Sequence, residues 1–273
     1  MTQIPNNSLA CPHDGLPLSV QDKCVVCPSG HSFDRAKRGY LNLLPVNQKR
    51  SKDPGDSQEM IAARNRFLER GYYLPLAQSL AENSHLNNAV SLLDAGCGEG
   101  YYLRQLEQQF PQTVWKGVGL DISKPAIDSA AKFDKGFQYL VASNAHIPLL
   151  DNSVDVVWCV FGFANFDEFR RVLTPGGRLI MADPGPEHLI ELREIIYPHI
   201  NDKHFARDIP AGFQHHSEQH LTGKLDLDAS AIADLLLMTP HLYRANPTGR
   251  AAAAALAQLV CRFDIHVRVF TKL

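Results

Sequence analysis

The run VSLLDAGCGEGYY, residues 90–102, holds residue types whose order suits the seating of a charged ligand. Apolar Val90, Leu92 and Leu93 end at Asp94, and glycines then alternate at Gly96, Gly98 and Gly100 ahead of a helix-compatible stretch. A strand that ends in an acid and turns through glycines lets its backbone approach a bound molecule closely. Folds that hold a dinucleotide place G-x-G-x-x-G here, with the pyrophosphate on the helix N-terminus. In this chain the third glycine arrives one residue early and Glu99 sits inside the turn, so an anion would be repelled. A sulfonium carrying a free amino group would be attracted.

Two more segments complete such a site. Asp121 closes the next strand pattern, VGLDIS, where a carboxylate can accept from both hydroxyls of a ribose. ASNAHIPL, after the third strand pattern, sets Ser143 and Asn144 near an adenine edge. These parts suit S-adenosylmethionine (AdoMet), and the glycine run resembles the first motif of class I AdoMet-dependent methyltransferases. Methyl transfer from a sulfonium is an in-line displacement that needs positioning and disposal of a proton, not a nucleophilic triad. Cys97 and Cys159 are therefore expected to be buried small hydrophobes.

A second constellation lies near the start. Cys24 and Cys27 form C-x2-C, Cys27 and His31 form C-x3-H, and Cys11 stands upstream with Asp14 beside it. Four such ligands in two clusters suit tetrahedral zinc. The first cluster has Asp14 where a zinc ribbon would have its second cysteine, so either Asp14 or Cys24 completes the set. A metal-free module held by its neighbours is the competing reading.

The elements that would position these residues alternate. Strand patterns at 90–94, 114–121, 138–142, 154–160 and 178–183 are mostly followed by helical ones at 101–110, 125–133, 164–173 and 187–197. This predicts an α/β fold, a mostly parallel seven-stranded sheet with helices on both faces. TPGGRLIM reads as a turn feeding the fifth strand. Upstream, Asp56 with Glu59 reads as a capping box opening a helix that Gly71 closes, and a second helix spans about 75–84. Downstream, 213–221 reads as extended, 229–237 and 251–260 as helical, and 263–270 as a strand. The expected organisation is a zinc-ribbon-like module over 1–45, a helical linker over 46–85 and the catalytic domain over 86–273.

With 45% hydrophobic and 21% charged residues and a net charge of −2, no global basic field announces nucleic acid. Yet Arg35, Lys37, Arg38, Lys49, Arg50 and Lys52 fall in one stretch with no acid between Arg35 and Lys52. No apolar run is long enough to span a bilayer and the start lacks the order of a secretory signal, which predicts a cytoplasmic protein without a membrane partner.

Several segments together resemble the bacterial 23S ribosomal RNA (guanine-N1)-methyltransferases: CPSGHSFDRAKRGYLNLLPV from Cys27, KRSKDPGDSQEM from Lys49, LDAGCGEGYY from Leu93, DPGPEHLIEL from Asp183 and FDIHVRVF from Phe263. The resemblance implies methyl transfer to N1 of a guanine in a 23S rRNA hairpin, with a zinc module that helps recognise RNA. It implies zinc ligation by Cys11, Cys27 and His31, the fourth family position falling on Asp14. It implies cofactor contacts by Tyr73, Gly98, Glu99 and His188. After the fourth strand the family pattern has an aromatic, a small residue and proline, whereas this chain reads Phe161, Gly162, Phe163. Phe161 and Phe163 are candidates to stack on an extruded base. Asp183, in place of a small hydroxylated residue, is a candidate proton acceptor or a helix cap. A homodimer would supply a second RNA-binding arm. A small-molecule AdoMet methyltransferase and a non-catalytic AdoMet-fold binding protein are the alternatives.

Overall fold

The computed structural model describes residues 8–46, 54–86, 89–200, 208–239 and 245–273. Three short antiparallel strands open the chain: β1 (Ser19–Gln21), β2 (Cys24–Val26) and β3 (Ser32–Asp34). A two-residue strand β4 (Leu41–Asn42) follows, then helices α1 (Gln58–Glu69) and α2 (Leu74–Ser84). Alternation begins at β5 (Ala89–Ala95) and runs through α3 (Tyr101–Gln109), β6 (Val114–Asp121), α4 (Lys124–Phe133), β7 (Gln138–Val141), β8 (Val154–Val160), α5 (Phe166–Val172), β9 (Leu173–Pro184) and α6 (Ile190–Ile196). The chain ends with β10 (Phe213–Asp228), α7 (Ala229–Met238), α8 (Pro247–Ala254) and β11 (Gln258–Lys272).

The large sheet has the order β10-β11-β9-β8-β5-β6-β7-β4. From β9 across to β4 every pairing is parallel, while β11 is antiparallel to both β9 and β10. The predicted seven strands are thus joined at one edge by β4 from the N-terminal segment. Strands covered on both faces read as continuous apolar runs, and all four residues of β7 are buried. Helices α1 to α4, α6 and α7 pack on one face.

The other face receives the N-terminal module. Leu9, Leu18, Val25, Leu41 and Leu43 share a buried cluster with Leu140, Ile147, Leu149 and Phe169. A module this small cannot bury enough apolar surface alone, so it borrows the sheet's.

Three local readings change. Helix α1 is capped by Ser57, whose Oγ accepts from the Met60 N–H at 3.3 Å, because Asp56 is engaged by Arg64 at 2.6 Å. TPGG does not precede a strand but lies within β9, where pairing with β8 jumps from Leu173 to Arg178 and the extra residues bulge out. The alanine-rich helix stops at Ala254, and β11 starts at Gln258, well before the expected Phe263. Pairing of β11 with β10 along their length overrides helix propensity there. Lys49, Arg50 and Lys52 lie outside the described residues. Among the described residues no helix is long and apolar enough to cross a membrane.

Candidate functional site

The adjacent C-terminal ends of β5 and β6 bring Asp94, Glu99 and Asp121 together. Gly96, Gly98 and Gly100 take φ of +100°, +56° and +76°, the left-handed region that turns the chain from β5 into α3. At Gly100 a Cβ would stand 2.8 Å from the Tyr139 hydroxyl, so both the conformation and the close packing require glycine. Asp121 Oδ2 accepts from the Gly98 N–H at 3.0 Å and Oδ1 from the Ser123 N–H at 2.8 Å. The turn and the acid at the end of β6 are therefore one hydrogen-bonded unit.

The floor of this unit is acidic and buried. Asp94 and Glu99 are each 1% exposed. Both carboxylate oxygens of Asp94, Glu99 Oε2 and Asn144 Oδ1 are buried without a hydrogen-bond partner in the protein. Burial, then the nearby charges of Asp121 and Glu99, push Asp94 up to about 8. Burial also raises Glu99, against the pull of Arg64, and raises Asp121 against its two backbone N–H bonds. Arg64 Nη1 stands 3.9 Å from Glu99 Oε2, beyond hydrogen-bond range. Nothing in the sequence singled out Arg64, because its role depends on α1 crossing the mouth of the β5–α3 turn. Buried acids without donors cost free energy unless a cationic or hydrogen-donating ligand completes them. The ammonium, sulfonium and ribose hydroxyls of AdoMet are such groups, and the residues present fit it.

An aromatic lip flanks the floor. The Tyr73 hydroxyl lies 2.9 Å from His188 Nε2, and Tyr73 is buried. Phe161 stacks on His188 at 6.3 Å and meets Tyr73 edge-on at 6.0 Å. Phe161 itself sits at φ +53°, a strained setting for a bulky side chain that is typical of functional loops. Phe161 is 43% exposed and Phe163 is 95% exposed, so neither belongs to the core. Asn144 braces this loop by donating Nδ2 to the carbonyls of Ala95 at 3.3 Å and Phe163 at 3.2 Å. Ser143 is turned inward on its own loop, its Oγ accepting from the Ala145 N–H.

Asp183 does not cap the following helix. Helix α6 begins only at Ile190, and Asp183 accepts from Arg268 Nη2 at 2.9 Å across the β9–β11 pairing. The Phe161 N–H donates to the Ala182 carbonyl, which sets Asp183 beside the lip.

The second group gathers on the ribbon. Cys11, Asp14, Cys27 and His31 converge. His31 Nδ1 lies 3.4 Å from Cys11 Sγ, 3.2 Å from Cys27 Sγ and 3.3 Å from Asp14 Oδ2, and Cys27 Sγ lies 3.5 Å from Asp14 Oδ2. The edges of a tetrahedral zinc site with S, N and O donors are about 3.3–3.6 Å, so this donor set fits zinc. Burial pushes the Cys11 thiol up to about 11, so a thiolate there calls for a cation. Cys24 is excluded from the set. Its place on β2 turns its thiol to the Gln21 carbonyl at 3.2 Å, and Asp14 fills the fourth position. Cys97 and Cys159 are buried, as expected of packing residues. In the basic stretch, Arg35 donates to Gln138 Oε1 at 2.8 Å and Arg38 pairs with Asp128 at 2.8 Å, both contacts that fasten the module to the larger domain.

Known proteins share both regions. Residues 9–52 match the zinc-ribbon family described as RlmA, N-terminal, and residues 93–181 match a methyltransferase domain family. The 23S rRNA (guanine(748)-N(1))-methyltransferase of Streptomyces fradiae is 32% identical, covering 88% of this chain and 87% of its own. A putative 23S rRNA (guanine-N(1)-)-methyltransferase of Bacillus subtilis is 34% identical over 83% of each chain. The complex between the Haloferax volcanii Trm112 methyltransferase activator and a putative methyltransferase gives a TM-score of 0.52 at 22% identity, covering 80% of this chain and 99% of that one, a likeness of fold.

Proposed function

This chain belongs to the 23S rRNA (guanine-N1)-methyltransferase family, and on that footing we propose that it methylates N1 of a guanine in a 23S rRNA hairpin loop. The carrying observation is the buried pair Asp94 and Glu99, with Asp121 beside them, beneath an exposed aromatic lip. When bound, AdoMet supplies an electrophilic methyl group on a sulfonium. Asp94 and Glu99 would compensate its positive groups, Asp121 would accept from the ribose, Asn144 and Ser143 would border the adenine, and Tyr73 with His188 would close the amino-acid end. Gly96, Gly98 and Gly100 keep the backbone low enough for contact.

Guanine N1 lies on the Watson–Crick edge, so the base must leave its stack. Phe163, exposed and braced by Asn144, and Phe161 offer faces for the extruded base. N1 carries a proton that must be accepted. Asp183, held beside the lip by Arg268, is the carboxylate assigned to that task. The zinc-held ribbon, with Lys49, Arg50 and Lys52, grips the hairpin phosphates. A homodimer would double that grip, and sedimentation of the purified chain tests it. The cytoplasm, where ribosomal RNA is made in bacteria, is the matching compartment.

Primer extension on 23S rRNA tests the whole reading. Methyl on guanine N1 stops reverse transcriptase. The stop is expected to vanish when the gene is deleted and to return on incubation of that rRNA with the purified chain and AdoMet. An unchanged stop pattern refutes the assignment.

A further inference from the structure

Strands β10 and β11 carry a cluster that methyl transfer does not use. His220 and His266 are cross-strand partners, and their rings stack with centroids 4.2 Å apart and planes 8° from parallel. Asp264 stands beside them on the same face of the hairpin. One donor atom each from His220, Asp264 and His266 lies within 4.8 Å of the others. His220 Nε2 donates to Asp264 Oδ1 at 2.6 Å, and His266 Nδ1 donates to Glu218 Oε1 at 2.9 Å.

Asp264 is only 5% exposed. Its rear is closed by backbone: a Cβ at Gly185 would stand 2.3 Å from its carboxylate oxygens, and Oδ2 accepts from the Glu187 N–H at 2.8 Å. The open side of the carboxylate faces the imidazoles. Arg268, the next cation along β11, pairs with Asp183. Asp264 and Glu218 set two carboxylates on this wall, and Arg268 is the cross-strand partner of Glu218. Two imidazoles and one carboxylate are the donor set of borderline divalent transition ions. Glu218 fixes the His266 ring through Nδ1, as a carboxylate does behind a metal-ligating histidine.

We propose that His220, Asp264 and His266 form a second divalent-metal site, for an ion of the zinc, cobalt or manganese type, distinct from the ribbon zinc. The proton shared by His220 and Asp264 marks the place of the ion, and the stacked rings splay to admit it. The site reaches the cofactor end of the molecule through backbone. Asp264 holds Gly185 and Glu187 by hydrogen bonds and donates its own N–H to His188 Nδ1 at 3.2 Å. An ion bound here stiffens the 185–188 turn that carries His188.

The test uses the full chain, free of any affinity tag and zinc-loaded at the ribbon, titrated with Co2+. One further equivalent is expected, with weak visible d–d bands and no thiolate charge-transfer band, since this site has no sulfur. Co2+ should also slow hydrogen exchange at the Glu187 and Asp264 amides. His220→Gln alters a half-exposed side chain and should weaken the uptake by about tenfold or more, with melting temperature and AdoHcy binding kept as controls of folding. Two results overturn the site: no uptake at millimolar Co2+, or uptake that His220→Gln leaves at the same affinity.

Discussion

The strand-end floor and the N-terminal ribbon both crowd donor groups into a small space, but by opposite means. At the floor, β5 and β6 fix Asp94 and Asp121 through sheet pairing, and the packed core buries Asp94 before any ligand arrives. In the ribbon, Cys11, Asp14, Cys27 and His31 come from two turns whose short strands own little core. Backbone organises the first site, whereas the ion organises the second. The first should survive loss of its ligand, and the second should not.

The largest expected effect follows from that contrast. Chelation of zinc or Cys27→Ser should lower hairpin affinity by about 100-fold or more, because structural zinc supplies much of the folding energy of such modules. AdoHcy affinity, measured by calorimetry, should stay within about threefold. Equal loss of both would mean that the ribbon and the floor fold as one unit.

Asp183→Asn sharpens the chemical side. It should cut kcat by about 10²-fold or more, the usual range for a general base, while binding titrations show unchanged affinity for RNA and AdoHcy. An unaltered kcat removes Asp183 from the reaction.

Asp94 gives the pH prediction. Its folded value of about 8 lies above the ordinary carboxyl value of 3.8, so the folded chain holds that proton more tightly than the unfolded chain. Stability of the ligand-free protein should therefore fall as pH rises between about 4 and 8. Asp94→Asn should remove that loss, so its gain over the wild type should grow with pH across this window and level off above about pH 8, read by denaturant unfolding. The same variant should bind AdoMet about tenfold or more weakly at pH 9, and the gap should close toward pH 6, where the wild-type carboxyl is protonated. A pH-independent gap would show that charge is not what the floor contributes.

Smaller effects belong to the RNA surface. Phe163→Ala should raise the RNA KM by about tenfold, the worth of one stacked base. Lys49, Arg50 and Lys52 replaced together by alanine should weaken RNA binding and reduce its salt slope by about 2–3, with AdoMet binding intact. Unchanged RNA affinity would take this segment out of the interface.

The floor could be read from the sequence because its parts are local: an acid at a strand end, a glycine turn, a second acid one βαβ unit later. Asp94, the three glycines and Asp121 all sit where that pattern implies. Partners distant in sequence were hidden. Arg64 reaches the floor from α1, and Arg268 meets Asp183 across 85 residues. Cys24 misled because C-x2-C spacing says nothing of the hairpin that turns one thiol away. At Asp56 and Ser57 two capping residues stand side by side, and only the ion pair with Arg64 decides between them. The helix expected through Val260 failed because its last residues have cross-strand partners in β10 that no local pattern records.

Strand β4 adds only two rungs, Leu41 against Leu140 and Asn42 against Val141, yet it splices the ribbon into the same sheet whose strands β5 and β6 end at the floor. The span from the ribbon to the strand ends at the floor is thereby a dimension of the sheet rather than of a tether. On the proposed reading the enzyme would work as a gauge: a stem of the wrong length, however well gripped, would present the wrong nucleotide to the lip.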